Sequence, residues 1–467
     1  LLDRFDLRRY LLTVMIKQLH SKKRSKASLS GGLLAVAFTL LHASLGFGAA
    51  ITDVADAADT IVIGDYEESN AFDFWLTPVF EYHNASGTIT REPGSGCQES
   101  NARDCLPVDE LSWTSTKMLL NLQMQIGIFR DLALTVGLPL VLGDTTSFDY
   151  ADGVSADNSS IDNGEEGSTL FNHNYKSGRA GLDHLELGLR FAPLSDLRDE
   201  SKPAWVLFAH WSSPNISTVY KPASHGGADG EGKTNLPIGD GVHRITFGTA
   251  LSKRIGYFGL IGIADSIYRR GYIDPYLEVS YTLPSPEQDL ADASQVKTNT
   301  NSFGNAPSHT AKVQAGLEYV PHETMKEHEK LAFDLGFVGQ YFSEGRNHSV
   351  ITGPLGELTY TEQFMDVSGR LAMHWRPHRN WNIILGGSFG YRTEHFLTSE
   401  NIGKDGNEDG VVDDHEDDKF SPYFYCGENP CGEEGASAEG SYDQIGFRFK
   451  DSNHLFWTVF TSISLTI

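Results

Sequence analysis

Apolar and polar residues alternate with a period of two along most of this chain, most clearly over Met118–Gly143. Leu120, Leu122, Met124, Ile126 and Ile128 alternate with Asn121, Gln123, Gln125, Gly127 and Phe129. After Arg130-Asp131, Leu132, Leu134, Val136, Leu138, Leu140 and Leu142 alternate with Ala133, Thr135, Gly137, Pro139 and Val141. A helix would set its apolar residues three and four apart, so this period reads as a β-hairpin with one aliphatic face. Similar segments follow or precede at Phe72–His83, Leu182–Ala192, Ala204–Ser213, His243–Arg254, Tyr272–Leu283, Thr310–Val320, Leu331–Phe342, Met365–Trp375, Trp381–Glu394 and Leu455–Ile467. No helical layer is in sight to cover those faces, which leaves lipid. A sheet in lipid must close, because no water satisfies the backbone groups along its edges. The expectation is an all-β fold: a transmembrane antiparallel β-barrel of about twelve strands.

The links between these segments support that topology. Short links fall at Arg130-Asp131, Pro193–Pro203, Pro321–Lys330 and Arg376–Asn380. Long polar links fall at Asn84–Ser112, Asp144–Gly181, Pro214–Val242, Pro284–His309, Ser343–Phe364 and His395–His454. Outer-membrane barrels have short periplasmic turns and long outside loops, so the two classes should alternate, and they do. The exception is Gly256–Gly271, which is either a periplasmic link or an extra hairpin raising the count to fourteen; twelve is preferred.

Ahead of the barrel, residues 1–50 read as an export address. Leu1–Val14 precede Met15; then come a basic region (Lys17, Lys22, Lys23, Arg24, Lys26), the apolar run Leu33–Leu41 and Gly48-Ala49-Ala50. That order fits a secretory signal cleaved after Ala50, with Ala55-Asp56-Ala57 as a second site. A membrane anchor is the alternative, although the apolar run is short for a span. Residues 51–71 would be a periplasmic segment and 72–467 the barrel with its loops. The expected location is the bacterial outer membrane, with its lipid as one partner.

Composition narrows the partners. The 467 residues include 62 Asp and Glu against 37 Lys and Arg, a formal charge of -25. Such an acidic chain is poorly suited to nucleic acid.

Three groups of residues carry candidate chemistry. Alternation turns Glu186, Arg190, Glu278, Lys312, Glu318, Asp334, Asp366, Arg370, His374 and Arg392 toward the barrel interior. They form either a web of paired charges that holds a polar interior together or a lining that selects solutes. In the last long link, Asp405–Glu416 reads DGNEDGVVDDHE and matches the twelve-residue calcium-loop pattern D-x-[DN]-x-[DN]-G-x5-E. Asp405, Asn407, Asp409, the Val411 carbonyl, Asp413 and a bidentate Glu416 would supply the oxygen shell of Ca2+. A solvated acidic run is the plainer alternative. Without metal these carboxylates repel one another in a segment with little to bury, so Ca2+ is expected to order it. Calorimetric titration and limited proteolysis should therefore differ with and without chelator, and Glu416→Ala should abolish the difference; an unchanged cleavage pattern removes the assignment.

The four cysteines fall as two local pairs, Cys97 with Cys105 and Cys426 with Cys431. In an exported chain two disulfides are expected, with a four-cysteine zinc site as the rival. His210 and His374 have Ser and Asp neighbours, yet no spacing that identifies a hydrolytic triad, which is recognised by geometry. The expectation is therefore a non-enzyme. A channel or transporter for small solutes leads. The alternative is a surface interaction protein with calcium- and disulfide-stabilised loops and the barrel as anchor, and a barrel hydrolase comes third.

Two segments resemble a known family. Ile128–Leu142, IFRDLALTVGLPLVL, carries a turn, an alternating strand and a Gly-x-Pro exit. Gly178–Pro193, GRAGLDHLELGLRFAP, carries an alternating strand behind a Gly-Asp start that stands here as Leu182-Asp183. Both are similar to outer-membrane transporters associated with the meta-cleavage pathway of phenol degradation, as is the plan of signal peptide plus barrel. The resemblance implies passage of a small molecule across an outer membrane.

Overall fold

The computed structural model describes residues 74–91, 108–129, 132–155, 176–194, 202–214, 234–235, 238, 242–258, 271–286, 307–324, 329–352, 359–378, 380–398, 425–426, 429–430 and 448–466. Twelve long strands make the wall. They are β1 (Phe74–Arg91), β2 (Val108–Phe129), β3 (Leu132–Tyr150), β4 (Glu186–Leu194), β5 (Ala204–Ser212) and β6 (Val242–Ser252), followed by β7 (Gly271–Pro286), β8 (Thr310–Thr324), β9 (Glu329–Phe342), β10 (Phe364–His378), β11 (Trp381–Arg392) and β12 (Phe449–Thr466). Each pairs antiparallel with the next. β1 pairs with both β2 and β12, so the sheet closes on itself and leaves no open edge along the spanning strands.

The alternation seen in the sequence becomes an outside and an inside. Leu335, Phe337 and Phe389 are 57%, 55% and 56% exposed, whereas their inward neighbour Asp334 is fully buried. Similar exposed aliphatic and aromatic side chains lie on β4 through β12 and form an outer apolar belt. Trp375 and Trp381 border it beside the short β10–β11 turn, and Tyr281, Tyr341 and Tyr391 lie toward the other end. An apolar belt between aromatic girdles is the surface that a bilayer requires of a barrel.

Ile255–Phe258 pairs with Gly271–Ile273 and prolongs the β6–β7 ladder. It adds no further strand to the wall among the described residues, so the count is twelve; residues 259–270 lie outside them.

Three strands run well past their expected ends. β1 continues to Arg91, β2 begins at Val108 and β3 reaches Tyr150, with the ladder intact through Arg91↔Val108 and Leu111↔Tyr150. These stretches fall within what the sequence suggested were long loops. Above the belt the sheet meets water, so its outward residues are polar, such as Ser112 and Thr114. Its apolar residues instead face in: Ile89, Leu111, Trp113 and Phe148 form an interior cluster with Ala85, Ile351, Leu397, Phe449 and Phe456. The polarity of the two faces has reversed, and a search for an outward aliphatic stripe does not detect it.

A local irregularity near the top of β12 matters for the interior. Asn453 has φ 52°, a left-handed conformation that Asn tolerates better than most residues. The β1–β12 register shifts at this point, between Ser86↔Leu455 and Thr88↔Ser452. In a regular strand residues three apart face opposite sides; the bulge lets Asp451 and His454 both turn inward.

Candidate functional site

Closure gathers the polar faces into one lumen. Toward the long-loop end it contains a cavity of about 610 Å3, lined by residues from β1 and from β4 through β12 together with parts of the β9–β10 link. Glu186, Arg190, Glu278, Lys312, Asp366 and Arg392 line this cavity.

Each carboxylate described in the cavity wall has a partner. Arg392 grips Asp366 with two parallel bonds, Nε to Oδ1 at 2.7 Å and NH2 to Oδ2 at 2.9 Å. Its guanidinium lies 4.4 Å from the Phe364 ring centroid, and that ring stacks on Phe342 at 4.5 Å and on His395 at 4.4 Å. A bidentate pair lying on an aromatic column is fixed in orientation, unlike a surface ion pair. Lys312 Nζ is 3.6 Å from Glu278 Oε1, and His210 Nδ1 is 3.0 Å from Glu186 Oε1. Asp451 accepts from the Trp113 indole at 3.1 Å and lies 2.7 Å from His454 Nδ1.

Arg190 NH1 reaches toward Gln125 Oε1 at 3.5 Å. The lining therefore carries both signs of charge, organised mainly as pairs. His395 lies on the short strand His395–Thr398, above the apolar belt. Burial pushes its imidazole down to about 4 while Asp451 pulls the other way, so His395 is neutral near pH 7.

The other four expected interior residues, Glu318, Asp334, Arg370 and His374, lie closer to the short-turn end and are buried there. Lys330 Nζ meets Glu318 Oε1 at 2.9 Å. Tyr276 donates its phenol hydrogen to Asp334 Oδ1 at 2.6 Å, and Arg370 Nε is 3.4 Å from Asp334 Oδ2. Arg370 also lies over the Phe460 ring at 5.4 Å.

Glycines make room for the rings. A Cβ at Gly316 would fall 2.5 Å from the Leu335 carbonyl oxygen and 2.6 Å from the Tyr276 phenol, and one at Gly336 would fall 2.4 Å from the same hydroxyl. Tyr276, Gly316, Gly336, Arg370, Ser388 and Thr458 are direct cross-strand neighbours in turn, forming one row across β7 to β12.

His210 and His374, considered above for hydrolysis, are on β5 and β10, the first beside Glu186 in the cavity wall and the second buried at the lower level. Tyr276, Trp113, His83, His395, Asp451 and His454 were not singled out from sequence. Strand parity was enough to turn Tyr276 and His83 inward; Asp451 and His454 lay in a stretch read as loop. The calcium-loop residues Asp405, Asn407, Asp409, Val411, Asp413 and Glu416 lie outside the described residues, as do residues 1–73. Of the cysteines, Cys97, Cys105 and Cys431 lie outside as well. Only the backbone of Cys426 is described, in a two-residue strand paired with Asn429–Pro430, so both proposed bridges fall beyond the described residues.

No family profile matches the sequence, and no curated protein does. Among solved structures, the chain is similar to an outer-membrane channel from Pseudomonas putida F1, at 12% identity, covering 86% of this chain and 98% of that one, with a TM-score of 0.36. It is similar also to the outer-membrane protease OmpT from Escherichia coli, at 8% identity over 86% and 99%, TM-score 0.27. A Pseudomonas aeruginosa FadL homologue is a third, at 10% identity over 85% and 90%, TM-score 0.28.

Proposed function

We propose that this chain is an outer-membrane channel for small solutes, with the long-loop end outside and the cavity as the vestibule in which a solute first leaves bulk water. The observation that carries the reading is the combination of an apolar belt outside the ring with a roomy cavity of paired charges inside it. An anchor alone has no need of such a cavity. In the same reading Ca2+ held by Asp405–Glu416 and bridges Cys97–Cys105 and Cys426–Cys431 would stiffen the outer loops around the mouth.

Paired charges predict a weak preference between cations and anions, because a passing ion meets both signs along the wall. Planar-bilayer conductance with a salt gradient tests this. The wild type is expected to conduct with a reversal potential near zero. Arg392→Gln leaves Asp366 without its guanidinium and is expected to shift selectivity toward cations. Absence of conductance from the folded protein and every variant would remove the channel reading.

A further inference from the structure

We infer that the size limit for passage is set below the cavity, by the layer in which Tyr276, Asp334, Arg370 and Phe460 meet. This rests on the channel reading above and adds to it the place and the chemistry of the restriction.

The layer divides the lumen into two unlike halves. Around the cavity the inward side chains leave a volume of about 610 Å3. At the lower level most inward residues of β3 to β12 are buried, while Glu81 on β1 and Gln123 on β2 are half-buried. On β3 to β6 the buried ones are small: Ala133, Ala192, Val206 and Ala250. On β7 to β12 long side chains, among them Tyr276, Asp334 and Arg370, stand beside small residues such as Gly316, Gly336 and Ser388, and Tyr276 packs in one cluster with Ala192, Val206 and Ala250. Tyr276 thus fills the space that the short side chains on the facing strands leave.

What holds the layer is polar and directional. The phenol of Tyr276 donates to one oxygen of Asp334, and the guanidinium of Arg370 sits beside the other at 3.4 Å. Arg370 reaches past β11 to the Phe460 ring, and the ring in turn occupies the place that a Cβ at Gly386 would take.

The same level holds a buried polar atom that the described residues do not satisfy. Ser388 Oγ, buried beside Arg370 in the row, has no hydrogen-bond partner among the described residues. An apolar seal would have no such atom, and a finished polar core would pair it. An unmet hydroxyl beside one long cationic arm suits a restriction that takes up water, passing small solutes and stopping larger ones. Arg370 is the residue on which it turns, because its side chain connects Asp334 on β9 with Phe460 on β12.

The test uses the full chain in planar bilayers and in liposome-swelling assays with arabinose and sucrose as neutral probes. Arg370→Ala is expected to raise conductance severalfold and to let sucrose enter as arabinose does. Asp334→Asn keeps the shape of the carboxylate while releasing the arginine, and is expected to raise conductance about twofold; it answers the question if Arg370→Ala fails to fold. Leu335→Ala, on β9 but facing lipid, is the control and should match wild type. A silent wild type opened by either substitution also supports the inference. If the wild type conducts and a folded Arg370→Ala or Asp334→Asn shows the same conductance and the same exclusion of sucrose, the layer is not the restriction, although the channel reading survives. If wild type and variants are all silent, both ideas fall.

Discussion

Leu335→Arg will destabilise the folded barrel by about 2–4 kcal/mol, as measured by reversible unfolding in lipid vesicles. Leu335 is near the middle of β9, it is 57% exposed, and its exposure is to the apolar belt. A guanidinium there must either leave water or deform the bilayer around it. Gln340→Arg, on the same strand but with its side chain in the cavity wall, will cost far less, because an arginine at that position enters a polar space. The contrast matters more than either number. Equal losses at 335 and 340 would mean that the inside and the outside of β9 have been assigned wrongly.

Asp334→Ala is expected to cost about 3–5 kcal/mol, for a different reason. Its side chain is fully buried, and it is the shared acceptor of Tyr276 and Arg370. Truncation leaves a guanidinium inside the protein with its carboxylate gone, so the desolvation penalty of the charge is no longer offset. Arg370→Met in the same background removes that charge while keeping most of the volume. The double variant should therefore regain at least half of the loss in a double-mutant cycle. A double variant as unstable as the sum of the two single ones would show that the pair is not coupled.

Much of this fold was legible because a membrane imposes a strict rule on one face of each strand. Wherever lipid touches the sheet, outward residues must be apolar, as at Leu187, Leu189 and Phe191 or at Phe333, Leu335 and Phe337. Beyond the belt the rule lapses, and the upper parts of β1, β2 and β3 look like polar loop. Trp113 and Leu111 were the available clue there, two large apolar residues in an otherwise polar stretch.

The interior was legible residue by residue but not as an arrangement. Alternation turns Asp366 and Arg392 inward, but their bidentate contact depends on the register Asp366↔Arg392, which no single strand contains. The contact between Asp451 and His454 depends on a bulge centred on Asn453, and a bulge leaves almost no mark in a period-two pattern. Tyr276 is another case. Its role follows from Gly316 and Gly336 on two later strands, where missing side chains provide the seat for its ring.

The pairing of β1 with β12 also bears on how the molecule is made. Trp75 lies beside Thr466, so the seam joins the two extremes of the described chain. Hairpins such as β2–β3 and β10–β11 are local and can zip early, but this seam requires the loop-closure entropy of nearly the whole chain. Until it forms, β1 and β11 each present a row of unanswered backbone donors and acceptors, the kind of edge that recruits other chains. Assembly is thus most vulnerable just before its last step. A helper acting on this protein would serve it best by shielding those two edges until Phe449–Thr466 slides between them.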